Sequence, residues 1–115
     1  MTLYNPFTKV FTRRPIYRGS DWKVTFGLVQ GETAVDLSDY TVRMVLGRNA
    51  EISKEYAPSE NSFTLALSAS EQEDLPNPRK NCELYPIEVY LVSDTEKVLL
   101  IRDSIIVYRQ LEASE

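Results

Sequence analysis

Apolar and polar side chains alternate along most of the chain, the period of a strand with one buried face. Between residues 22 and 29, Trp22, Val24, Phe26 and Leu28 fall on one side, and Lys23, Thr25 and Gly27 on the other. The period returns at 40–47, with Tyr40, Val42, Met44 and Leu46 inward, and at 63–67, with Phe63, Leu65 and Leu67. At 83–93, Tyr85, Ile87, Val89 and Leu91 share a face. Residues 97–108 are rich in β-branched side chains and read as a last strand with a charged break at Arg102-Asp103-Ser104. Residues 52–56 read as a short edge strand, and a further short strand is expected near 7–11. Turn residues punctuate these runs at 18–21, 30–33, 60–62 and 93–96.

The single helical signal is Ser68 three residues before Glu71. At that spacing the hydroxyl accepts from the downstream amide and the carboxylate reaches back to the upstream one. Ser70 and Glu73 repeat the spacing, and Pro76 and Pro78 end it, so one or two turns are expected over 70–75. Short strands at spacings near ten residues, without alternation of strand and long helix, predict an all-β chain. The expected architecture is an antiparallel, immunoglobulin-like β-sandwich of about six or seven strands, with one short helix and an extended N-terminal arm. Its expected core is the inward set above without Leu46 and Tyr85, together with Leu37 and Val107. The division is an arm over 1–18, a sandwich over 19–110 and a polar tail over 111–115.

Composition narrows the chemistry. The chain has 115 residues, 43% of them hydrophobic and 26% charged, which suits one globular domain. It contains no histidine and one cysteine, Cys82. The usual general base at neutral pH, the commonest zinc ligand and any internal disulfide are therefore missing. The four glycines form no phosphate-binding loop, and no apolar run approaches the length of a membrane span. Glu71, Glu73 and Asp74 lie in one short turn, where acidic residues suit a helix start. Asp36 and Asp39 suit turn formation, without the glycine and spacing of a calcium loop. Trp22 reads as a core anchor, with sugar stacking as the alternative. The expectation is a protein without enzymatic activity, without cofactor and without a structural metal.

The charge is unevenly spread. Residues 1–20 carry Lys9, Arg13, Arg14 and Arg18 and no acid, whereas the remaining nine bases and seventeen acids leave the body at −8. Tyr4, Phe7, Phe11 and Tyr17 are in the same basic stretch. Such an arm can bind single-stranded nucleic acid, dock on an acidic protein surface or a neighbouring copy, or be an ordinary first strand with a plain terminus. An acidic body repels phosphate, so nucleic acid is not the expected partner. The expected binding residues are Tyr4, Phe7 and Phe11 as apolar anchors, with Arg13, Arg14 and Arg18 facing acidic surface. On that expectation residues 1–18 reach beyond the sandwich, and removing 1–14 leaves it folded.

The order of features also resembles a family of β-sandwich domains in structural proteins of tailed bacteriophages, of the tail, baseplate and tail-fibre attachment type. The residues that carry the resemblance are Tyr17-Arg18-Gly19-Ser20-Asp21-Trp22, Ala34-Val35-Asp36-Leu37-Ser38-Asp39-Tyr40, and Leu65-Ala66-Leu67-Ser68-Ala69-Ser70-Glu71 leading to Leu75-Pro76. The hairpin of Ile87-Glu88-Val89 and Val98-Leu99-Leu100, followed by Ile105-Ile106-Val107, completes the series. The chain departs from the family at Pro78-Arg79-Lys80-Asn81 and at Arg102-Asp103-Ser104, where the family often has glycine. The resemblance implies a non-enzymatic virion component, assembled in the host cytoplasm with other virion proteins or as a homo-oligomeric ring, away from any membrane. A surface carbohydrate-binding module and a capsid decoration or head-completion protein are the alternatives.

Overall fold

The computed structural model describes residues 7–111, and strands dominate it. In chain order these are β1 (Ile16–Tyr17), β2 (Trp22–Gly27), β3 (Val29–Gln30), β4 (Thr33–Ala34), β5 (Thr41–Leu46), β6 (Ile52–Tyr56), β7 (Ser62–Leu67), β8 (Cys82–Val92) and β9 (Lys97–Tyr108). One 3-10 turn, Glu71–Asp74, lies between β7 and β8. A five-stranded sheet runs β1-β9-β8-β5-β6; β2 pairs with β7, and β3 with β4. The expected all-β class holds.

Register explains the core. Antiparallel pairing sets Val42 opposite Leu91, Met44 opposite Val89 and Leu46 opposite Ile87, so their side chains leave the large sheet on one face. In the smaller sheet Trp22 faces Leu67, Val24 faces Leu65 and Phe26 faces Phe63. These two inward sets, with Leu37 and Val107, join one hydrophobic cluster. Phe26 and Tyr40 pack against it half-buried, because each stands where a strand ends or begins. The turn between β3 and β4 uses Gly31 at φ +65, a conformation that side chains with a Cβ rarely adopt.

Three expectations change. β9 does not break at Arg102-Asp103-Ser104 but stays paired with β8 along its length. Arg102 lies opposite Glu88 and donates to it from Nε at 2.9 Å, so the charged run is satisfied within the ladder. The irregularity comes earlier, where Val89 pairs with Ile101 and Tyr90 with Leu99. The extra residue, Leu100, is a β-bulge, and it lets Leu100 and Ile101 both be buried. The short strand expected over 7–11 contracts to a single parallel bridge between Phe7 and Ile101.

The largest change concerns the arm. Residues 7–17 do not reach away from the body but run along the open edge of β9. They pair with it in parallel at Phe7 and again at β1, Ile16 with Val107 and Tyr17 with Tyr108. Phe11 and Ile16 are fully buried in the common core. The physical reason is area: burying a large apolar side chain stabilises by about 1.5–3 kcal/mol, and the edge of β9 offered unpaired backbone groups. Tyr4 lies outside the described residues.

Candidate functional site

The N-terminal segment is fixed at three places. The Phe7 amide donates to the Leu100 carbonyl at 2.8 Å and its carbonyl accepts from the Arg102 amide at 3.0 Å. The Phe11 amide donates to Asp103 Oδ2 at 2.9 Å, while Oδ1 of the same carboxylate accepts from the Ser104 amide. The Arg18 amide donates to the Tyr108 carbonyl at 3.2 Å. Between these points the chain folds into a turn, closed by the Arg14 amide on the Phe11 carbonyl and begun by Lys9 at φ +60.

That turn drives Phe11 inward. Its ring lies 6.0 Å from Trp22 and 5.6 Å from Phe26, the latter edge to face, and Phe26 continues to Phe63 at 5.4 Å. Trp22 is a core residue, with Nε1 donating to the Arg14 carbonyl at 3.1 Å. The row of rings ends at an open apolar cavity of about 300 Å³ lined by Phe7, Val10, Phe26, Leu28, Val29 and Leu100, among others. Phe7 is 45% exposed and Val29 59% exposed at this cavity, so apolar surface remains in water there. Such a cavity accepts one or two apolar side chains of a partner.

The cations divide. Lys9, Arg13 and Arg14 are exposed on the segment that borders the cavity, and none of them is ion-paired with another described residue. Arg18 turns to the body. Its Nη1 donates to the Gln72 carbonyl at 3.2 Å, and its Nε is buried without a partner. Gln72, fully buried, accepts from the Gly19 amide at 2.9 Å and donates to the Ser20 carbonyl at 2.7 Å. Arg18 thus belongs to a clamp between the 17–20 turn and the 3-10 turn. Of the six expected binding residues, Phe7, Arg13 and Arg14 are exposed on the N-terminal segment, and of these three Phe7 alone lines the cavity. It removes Phe11 to the core, ties Arg18 to Gln72, and does not describe Tyr4.

Sequence reasoning missed Val10, Val29 and Leu100 as cavity walls. The signal for two of them was present: Leu28-Val29 and Leu99-Leu100-Ile101 are consecutive apolar residues, which a regular alternating strand cannot bury together.

The other candidate groups have local roles. The Ser68 amide donates to Glu71 Oε1 at 2.9 Å, and Ser68 Oγ accepts from the Glu71 amide at 3.2 Å, the expected reciprocal pairing. The Lys54 ammonium, 2.6 Å from Glu71 Oε2, and the Ser68 amide hold the Glu71 carboxyl at about 2, below its usual 4.5. Asp36 Oδ1 accepts from the Ser38 amide, which lowers its pKa and closes the expected turn. The Tyr40 hydroxyl donates to Glu96, which raises its pKa. Among the described residues no three His, Cys, Asp or Glu side chains form a group able to hold a metal ion, and no helix is long and apolar enough to cross a membrane. The chain matches no protein-family model, no curated protein and no solved structure.

Proposed function

We propose that this chain is a non-enzymatic structural component of a tailed-phage virion, an immunoglobulin-like β-sandwich that assembles through protein–protein contacts. Connectivity supports the sandwich. The order β9-β8-β5-β6 beside β2-β7 follows the G-F-C-C′ and B-E pairings of immunoglobulin domains, and β1 adds a parallel edge to the G-like strand. The tryptophan stands on the B-like strand, and with one cysteine the chain can form no inter-sheet disulfide, so the likeness is one of wiring.

The observation that carries the binding role is the apolar cavity walled by Phe7 and Val10, on a segment that also carries the exposed cations Lys9, Arg13 and Arg14 in a chain otherwise rich in acids. Apolar anchors supply most interface affinity, and flanking charges set approach and orientation. The occupant is an acidic-apolar segment of another virion protein. Two variants probe this without touching the core: Val29→Asp at the exposed cavity wall, and the double change Arg13→Glu with Arg14→Glu. Both variants should keep the wild-type melting temperature and fall at least tenfold in copies per purified particle, counted by quantitative mass spectrometry. Particles that never contain the wild-type chain, or that incorporate both variants at wild-type number, contradict the proposal.

A further inference from the structure

We infer that the partner segment binds as an added β-strand on the open edge of β2, and that it is an extended stretch in which acidic and apolar residues alternate. The inference rests on the cavity being a partner site and specifies how that site is read. β2 pairs with β7 alone, so no strand lies beside its other edge. The hydrogen bonds of β7 show which groups that edge presents. The Ser62 amide and carbonyl, opposite Gly27, are both spent on Ser59. The Ala66 carbonyl, opposite Lys23, accepts from Lys54 Nζ at 3.2 Å and from the Tyr56 hydroxyl at 2.7 Å. Ser62 and Ala66 thus face away from β2, and residues of an antiparallel pair alternate in this respect. The bonds between the two strands therefore fall at Trp22, Val24 and Phe26, and Lys23, Thr25 and Gly27 turn their N–H and C=O groups outward. All three are exposed, and among the described residues no backbone group bonds them from outside the sheet. The other long edges are managed: residues 7–17 run along β9, and β6 carries the inward Lys54. β2 has neither a proline nor a bulge.

The edge leads into the cavity, whose walls on the β2 side are Phe26, Gly27 and Leu28. A strand laid beside β2 sends its side chains alternately to the two faces of the sheet. Those beside Phe26 point inward, where the cavity takes apolar groups. Those beside Lys23 point outward, to a face formed by Lys23, Thr25, Gly27, Ser62, Thr64 and Ala66. Lys23 is the one charged member of that face, and it is ion-paired with no described residue. A carboxylate on the added strand supplies its missing partner, and Lys9, Arg13 and Arg14, exposed on the N-terminal segment, favour the same sign. A second copy of β2 brings another lysine and no acid, so it does not meet this chemistry. Main-chain hydrogen bonds give strand addition its affinity, and alternate side chains its specificity.

The probe is an acetylated and amidated heptapeptide of alternating glutamate and leucine, added to the full chain at up to about 1 mM. It should slow hydrogen exchange of the Lys23, Thr25 and Gly27 amides at least tenfold. Lys23→Glu, at an exposed site, should weaken binding at least fivefold and keep the melting temperature. Two N-methylated peptides need no change to the protein: methyl groups on one alternate set of amides should cost at least tenfold, and on the other set nothing. No binding over the range overturns the inference, as does protection confined to β6 or β9. A wild-type chain that self-associates and protects the same three amides overturns it in favour of a second copy. If Val29→Asp excludes the peptide while both N-methylated forms still bind, strand addition fails and the cavity reading stands; counts of the cavity variants in particles test that reading separately.

Discussion

Asp103 shows how much one side chain can decide. A carboxylate in the middle of a strand reads as an interruption, yet here it accepts the Phe11 amide and the Ser104 amide together. It supplies the acceptor that the edge of β9 lacks where the N-terminal segment bulges away from the ladder. Hydrogen bonds to charged groups contribute about 1.5–3 kcal/mol, and a half-buried amide left without a partner adds to the loss. Asp103→Ala should therefore cost about 2 kcal/mol by urea denaturation, whereas Asp103→Asn, which keeps an oxygen acceptor, should cost less. Glu71 offers a pH test. Its carboxyl titrates lower in the folded protein than in the unfolded chain, chiefly through Lys54 and then the Ser68 amide. Its contribution is thus complete above about pH 4.5 and disappears as the pH falls toward 2. The two side chains are 32% and 40% open to water, so the effect stays below about 1 kcal/mol. Melting temperatures of the wild type and Glu71→Gln should differ at pH 6 and converge at pH 2.

At the scale of elements, the alternating strands were legible because each buries one face only. β2, β5, β7 and β8 begin and end within about two residues of where hydrophobic periodicity places them. β6 was legible as an edge from its polar content, and its inward-pointing Lys54, which reaches the Ala66 carbonyl and Glu71, is a device that discourages further strands from adding there. The reciprocal Ser68 and Glu71 pairing was legible from its spacing, but spacing alone does not decide it, since Ser70, equally spaced from Glu73, makes no side-chain cap hydrogen bond. What periodicity could not reveal was non-local. The bulge at Leu100 resolves a conflict between four consecutive apolar residues, 98–101, and the two-residue period. The destination of the N-terminal segment depended on β9, some ninety residues away, as the separation of Phe11 and Asp103 shows. Prolines, bases and aromatics resemble a free arm until a partner edge is known. For the same reason the site was legible only in part: Phe7 is exposed at the cavity, whereas Phe11, which its pattern offers to a partner, is received by the chain's own core.

The whole molecule is therefore a body whose first described residues complete it. One surface has an apolar cavity walled by a segment that also carries exposed cations. It depends on residues 7–17 lying against β9, since Phe7 and Val10 wall the cavity. The most direct test is urea unfolding of the chain lacking residues 1–14. Removal takes Phe11 out of the core, exposes its neighbours Trp22 and Phe26, and deprives the Trp22 indole of the Arg14 carbonyl. Losing a buried phenylalanine alone costs about 3–5 kcal/mol, a large part of the 5–15 kcal/mol that holds a typical domain. The truncated chain should lose at least about 3 kcal/mol or fail to fold. An unchanged unfolding midpoint would show that the segment is a free arm and would contradict this account.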